Sequence, residues 1–329
     1  MRSKITYLAL ALKAGITLLL LGAIGLKIDW GAVLESLYSV DLGWLLLAYI
    51  SLALCTLIGA YRWKVLLDVH DTKLPLGRLI FHSYVAVFFN AFLVGSTGGD
   101  AVRIFLVTRD VRSSKFRVGF SVLVDRFVGI VALLFSASLV LSVSSGVIDP
   151  RLKDIFWIGV ASVIFLVLSL LLLFLLPQRH SDHFFSCEAG NRVISIILNI
   201  LKAILAHRTH PLALLWSFVL SLIIVLMTVA TGIALANALG ITMGWQACLV
   251  IIPLALIISS VPLSIGGFGL RETAFVGLFS IYGIGGAHGP ENAIVYSLFW
   301  YLVSLLVSAF GGLFLLVAPI KYSEAKDIH

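Results

Sequence analysis

Helix-length apolar runs recur along the chain at roughly 5–26, 44–67, 117–145, 155–176, 211–238 and 293–318, and they decide what it can fold into. Each is near or above the ~20 residues that a helix needs to cross ~30 Å of hydrocarbon. Composition points the same way. Of the 329 residues 60% are hydrophobic and 12% charged, and mean hydropathy is +1.10. That leaves too little polar surface to cover a soluble core. The runs also lack the short polar alternation of a membrane β-barrel. The predicted class is an all-α polytopic membrane protein with about six spanning helices.

The N-terminus imitates a secretory signal, with Arg2 and Lys4 ahead of an apolar stretch. The stretch runs past signal length and no small-residue cleavage pattern follows, so an uncleaved first span is predicted. Cys55, Cys187 and Cys248 lie in two apolar segments and a loop without metal-ligand spacing, which predicts neither a disulfide nor a zinc site.

Lysine and arginine are retained on the cytoplasmic side of short loops. Most of the 23 basic residues fall in 1–4, 62–78, 103–117, 177–210 and the tail, whereas 27–43, 146–154, 239–245 and 285–292 hold only Lys27, Arg151 and Lys153. Both termini are therefore expected in the cytoplasm, in a cell membrane. The net charge of +7 is mostly this bias, together with attraction to anionic headgroups, and a nucleic-acid partner is not predicted.

This sidedness makes 79–117 a topological problem, because the segment starts beside one basic loop and ends in another. Its first arm, Leu79 to Val94, would reach only about 24 Å as a helix, short of a comfortable span. The break STGGDAVR, Ser96 to Arg103, is then the tip of a helical hairpin dipping in from the cytoplasm. Segment 246–284 returns to its starting side in the same way from outside, with its break at SIGGFGLR, Ser264 to Arg271. The two octapeptides keep Ser, Gly, Gly and Arg in register at an offset of 168 residues, and the spans at 44 and 211 are separated by nearly the same offset. Each half reads as span, span, broken hairpin, span. An odd number of spans per half inverts the second copy, giving an inverted-topology repeat of residues 1–150 and 151–329, as in secondary transporters.

The helix restarting after Gly99 would present free N–H groups and a positive dipole end near mid-membrane. Arg103 adds a full charge there, which needs an anion or a carboxylate such as Asp100 beside it. Arg271 and Glu272 repeat the arrangement from the other side. Two positive helix starts facing one midplane cavity suit a phosphate or similar anionic headgroup. The expected substrate site is Ser96, Gly98, Gly99, Asp100, Arg103, Asp125, Arg126, Ser264, Gly266, Gly267, Gly269, Arg271 and Glu272. The competing reading makes the glycines hairpin turns and tight helix contacts, and the charges structural pairs. Asp125 and Arg126 diverge by about 100° on a helix and cannot simply neutralise each other, so one is expected to meet Arg103 or Asp100. Arg62 and Lys64 read as snorkelling interface residues.

His180, Asp182, His183 and Cys187 read as a polar loop rather than a metal site. Residues 192–206 have the apolar face of a helix lying on the inner membrane surface, where a partner could dock. No GxSxG, Walker loop or HExxH supplies nucleophilic or metal-assisted chemistry, and no cofactor is predicted.

Three stretches, GGDAVRIFLV at 98–107, DRFVGIVALL at 125–134 and VPLSIGGFGLRE at 261–272, resemble the flippase-like membrane proteins. That family includes the N-terminal membrane region of bacterial lysylphosphatidylglycerol synthases, the multiple peptide resistance factors. With the span spacing, the resemblance covers essentially the whole chain. Gly95-Ser96-Thr97 departs from the family's proline-glycine before the first turn. The resemblance implies transport of lipids or lipid-linked headgroups, with Asp100, Arg103, Asp125, Arg126, Arg271 and Glu272 as polar core. Ten residues follow Pro319, which leaves no room for the soluble aminoacyl-transfer domain of the synthases, so no synthesis of aminoacylated lipid is expected. Two rivals stay open: an intramembrane lipid-modifying transferase, and a non-catalytic partner of a lipid or glycan enzyme. Oligomerisation is compatible with each.

Overall fold

A computed structural model describes residues 40–69, 72–92, 98–111, 115–143, 210–260 and 269–317, with isolated positions at 31 and within 157–164. The predicted span 5–26, most of 155–176, the interfacial helix 192–206, the His180–Cys187 cluster and both hairpin tips, with Ser96, Ser264, Gly266 and Gly267, lie outside the described residues. Those that are described form eight α-helices and no strand.

Four helices are long and apolar enough to cross a membrane: α1 (Leu42–Asp68), α4 (Lys115–Val143), α5 (Pro211–Ala238) and α8 (Gly289–Val317). They coincide with four of the six runs read from the sequence. The local signals that start them are plain. Asp41 caps α1, its carboxylate accepting from the N–H groups of Gly43 (2.7 Å) and Trp44 (3.3 Å). Pro211 opens α5, where a missing N–H costs nothing. The Asp41 N–H donates to the Ala238 carbonyl at 2.9 Å, tying the start of α1 to the end of α5.

Between the spans lie two pairs of short helices, α2 (Leu76–Phe92) with α3 (Gly98–Val111) and α6 (Trp245–Ser260) with α7 (Leu270–Tyr282). With 17, 14, 16 and 13 residues, their lengths are about 26, 21, 24 and 20 Å, all below the ~30 Å of a bilayer core. The α2–α3 pair is antiparallel. Arg78 and His82 near the start of α2 meet Asp110 near the end of α3 at 3.6 and 3.2 Å, while Gly99 at the start of α3 lies against Ala86 and Asn90 late in α2.

Packing links the two halves throughout. The α1 helix lies along α5, α2 along α8 and α4 along α6. The main apolar core joins α1, α4, α5, α6, α7 and α8 and centres on Phe275, Phe279, Tyr296 and Trp300, whose rings meet at 5.0–6.3 Å. A smaller core of Trp63, Leu67, Leu79, Val107, Val118 and Val122 joins α1 to α4 beneath the charged residues.

Candidate functional site: a charged wall beside an amphipathic cavity

The Asp125-Arg126 pair sits ten residues into α4, about 15 Å from its Lys115 end, where ionised groups need partners. Helical divergence sends the two side chains different ways. The Asp125 carboxylate, nearly fully buried, accepts from Arg62 Nε at 2.8 Å through Oδ1 and has Arg103 Nη1 3.7 Å from Oδ2. Arg126 donates through Nε (2.9 Å) and Nη2 (2.8 Å) to Asp100 Oδ2 on α3.

Arg62 corrects the sequence reading. It is not a snorkelling interface residue: its side chain is only 12% exposed, and its Nη1 donates to Ser221 on α5 at 2.8 Å. The apolar stem needs no water because a carboxylate and a hydroxyl answer the head within the bundle. Gly129 lies alongside, and a Cβ there would be in ordinary contact with Arg62 Nη1 at 3.4 Å. Lys64, by contrast, pairs with Asp68 one turn on and stays partly exposed.

Arg103 is held by Asp125 and by the Trp63 ring, whose centroid lies 3.8 Å from its guanidinium carbon. Trp63 is itself fixed by donation to Ser121 Oγ at 3.1 Å. The Gly99 N–H is taken by Asn90 Oδ1 at 2.7 Å, so a neutral amide caps part of this helix start.

A cavity of about 950 Å³ opens against this cluster. Arg62, Asp100, Asp125 and Arg126 form one wall, with Lys115 beside them. Ile130, Leu133, Ile224, Val225 and Leu256 from α4, α5 and α6 make the rest largely apolar, with Ser221, Thr228 and Ser260 as isolated hydroxyls. Arg103 stands behind the wall rather than on it.

Arg271 and Glu272 form a separate, closed cluster. Arg271 Nη2 donates to Glu272 Oε1 (2.8 Å) and Nε to Ser297 Oγ on α8 (2.9 Å), and Ser297 donates to the same Glu272 oxygen at 2.8 Å. Glu272 Oε2 takes the Gly269 N–H at 2.7 Å, and Gly269 holds φ 83°, a conformation that favours glycine. Both charged side chains are less than a tenth exposed and neither lines the cavity. Two helix starts facing one cavity are therefore not what the described residues form: the second start is filled by its own carboxylate.

Sequence reasoning missed Arg62, Lys115, Ser221 and Thr228 as cavity residues. A signal was present. Ser217, Ser221, Thr228 and Thr231 make a hydroxyl stripe at helical spacing along an otherwise apolar span, and such a stripe marks a helix face turned toward polar partners. Among the described residues no cluster of histidine, cysteine or carboxylate groups has the makings of a metal site.

Spanning helices, short antiparallel helices between them and a buried charge cluster beside an amphipathic cavity define a multi-pass helical membrane protein with a polar site within the bundle. The chain belongs to the family of the lysylphosphatidylglycerol synthase transmembrane region, whose model matches residues 8–312. It is also similar to a UPF0104 membrane protein of Methanothermobacter thermautotrophicus, 23% identical over 327 residues that cover 92% of this chain and 90% of the relative.

Proposed function

We propose that the protein moves a lipid, or a lipid-linked headgroup, between the leaflets of the cell membrane, holding the headgroup against the charged wall of the cavity. The single observation that carries this reading is the cavity's polarity. One wall bears two guanidiniums and two carboxylates, and the others are largely apolar. Such a pocket suits an amphiphile better than a soluble metabolite or an ion. The family supports a lipid context.

The architecture belongs to the same proposal. Exchanging α1–α4 for α5–α8 turns each of the main packing pairs into another: α1 with α5 maps to itself, α2 with α8 maps to α6 with α4, and α2 with α3 maps to α6 with α7. This pattern supports an inverted repeat, with the two short pairs as re-entrant hairpins and both termini cytoplasmic. Lipid with an anionic or phosphate-bearing headgroup is the partner that the surplus of basic groups at the cavity favours, Arg62, Arg126 and Lys115 against Asp100 and Asp125.

Leaflet exchange of headgroup-labelled phospholipid in proteoliposomes tests the function directly. Exchange is expected above that of vesicles carrying an unrelated membrane protein, and Asp125→Asn should abolish it. Exchange no faster than in those control vesicles overturns the transport reading. Conversion of the labelled lipid to a new species would replace it with the transferase.

A further inference from the structure

We infer that Arg62 is the residue that gives the cavity its preference for an oxyanion, a refinement that rests on the cavity being the lipid site. The argument begins with charge. Arg126 and Asp100 balance each other, but Arg62 and Arg103 share the single carboxylate of Asp125. Among the described residues the cluster thus has three guanidiniums for two carboxylates, and Lys115 at the cavity adds to the surplus.

Geometry decides where the surplus is felt. Arg103 lies over the Trp63 ring behind the wall, with Nε buried and without a hydrogen-bond acceptor, so no ligand in the cavity reaches it. Arg62 lines the cavity. Its guanidinium is fixed by Asp125 on α4 and Ser221 on α5. A planar fork whose orientation is fixed before the ligand arrives, carrying charge that its carboxylate shares with a second arginine, is suited to the oxygens of a phosphate. The same chemistry would take a lipid phosphate or a free one.

Purified protein in detergent is titrated with dioleoyl phosphatidate, dioleoylglycerol, dioleoyl phosphatidylcholine and inorganic phosphate, and affinity is read from the ligand-dependent melting shift. Phosphatidate is expected to bind at least tenfold more tightly than dioleoylglycerol, the two differing by the phosphate alone, with phosphatidylcholine between them. Arg62→Gln should bring the ratio close to one, because a charge-assisted hydrogen bond is worth roughly ten- to a hundredfold in affinity. Arg62→Lys keeps a charge beside Asp125 but lacks the planar fork, so it carries the test if the glutamine variant fails to fold. Its ratio should also fall close to one. Retention of the phosphatidate preference in Arg62→Lys overturns the assignment to the Arg62 fork, since charge alone would then suffice. Equal affinity of the wild type for phosphatidate and dioleoylglycerol overturns it as well. Inorganic phosphate binding as tightly as phosphatidate, with the Arg62 dependence intact, upholds Arg62 and overturns the lipid as ligand. Transport plays no part in this readout, so an absence of leaflet exchange leaves the Arg62 result standing.

Discussion

Replacing Gly99 with alanine is expected to loosen the α2–α3 hairpin and, through it, the charged wall. A Cβ at this position would lie 2.1 Å from the Ala86 carbonyl oxygen and 2.7 Å from Asn90 Cγ and Oδ1. Carbon and oxygen approach comfortably to about 3.4 Å, so the two helices must part by about 1 Å. The nearest obstacle is backbone and cannot rotate away, and overpacking of this kind costs about 1–3 kcal/mol. Displacing Asn90 also strains its 2.7 Å bond from the Gly99 N–H, a further ~1 kcal/mol. Alanine recovers about 1 kcal/mol in helix propensity, leaving a net loss of about 1–3 kcal/mol. Gly59 in α1 and Gly277 in α7 provide the contrast, since a Cβ at either meets nothing within 4 Å. Gly59→Ala and Gly277→Ala should be neutral or stabilising by up to about 1 kcal/mol. Thermal or SDS-driven unfolding of the three variants in one detergent makes the comparison. The next residue, Asp100, accepts from Arg126 at 2.8 Å, so Gly99→Ala should also weaken lipid binding, and the other two should not. A Gly99→Ala protein as stable as Gly59→Ala would refute the close approach from which the whole argument starts.

Glu272→Ala should destabilise by about 3–5 kcal/mol in the same unfolding assay, because it leaves Arg271 buried without its carboxylate and the Gly269 N–H without its acceptor; Glu272→Gln should recover part of the loss. Arg126→Ala leaves Asp100, 14% exposed, without its arginine and should cost about 1–3 kcal/mol, less than Glu272→Ala, and lower the affinity for phosphatidate; equal affinity would remove Arg126 from the site. In whole cells a cysteine replacing His288, which is exposed just before α8, should react with an impermeant maleimide from outside, and one replacing Arg112 should react only after permeabilisation. The reverse pattern would invert the proposed orientation.

The spans were legible because their signal is local and repeated: α5 begins and ends where its apolar run does, and α1, α4 and α8 differ from their runs by a few residues at the ends. The separation of α2 from α3 was legible too, since two glycines inside an apolar run have few other uses, whereas both hairpin tips lie outside the described residues. Divergence on one helix separates Asp125 from Arg126 as expected, but both find partners on α3, Arg126 at Asp100 and Asp125 at Arg103, where one such contact was expected. Arg62 was not legible. Its position near the end of a span is what a snorkelling arginine would occupy, and its burial depends on Asp125 and Ser221, 63 and 159 residues away. Glu272 was read as matching Asp100, but a carboxylate at the third helical position can turn back to its own cap, and nothing in the octapeptide tells that apart from a carboxylate directed at a partner helix.

That difference sets how firmly each short helix is held. The charges at the start of α3 are answered from another helix: Asp125 on α4 meets Arg103, and Arg126 on α4 meets Asp100. Drawing α3 away from α4 would separate two ion pairs within the bundle, at about 3–5 kcal/mol for each fully buried one. The charges at the start of α7 answer each other, Arg271 to Glu272, and the bond from Arg271 to α8 ends on the neutral hydroxyl of Ser297. Displacing α7 along α8 breaks that bond and the one from Ser297 to Glu272, each worth about 1 kcal/mol, and leaves no charge unpaired. The Arg271 guanidinium also lies over the Tyr301 ring of α8, 5.3 Å from its centroid, and Phe275 and Phe279 pack against Tyr296 and Trp300. Apolar contact of that kind has little directionality, so it resists separation more than sliding. The register of α3 is thus fixed by charge and that of α7 by shape. If one of the short helices moves while a headgroup passes, the electrostatics favour α7, with α3 and its arginines remaining as the fixed wall against which the headgroup is held.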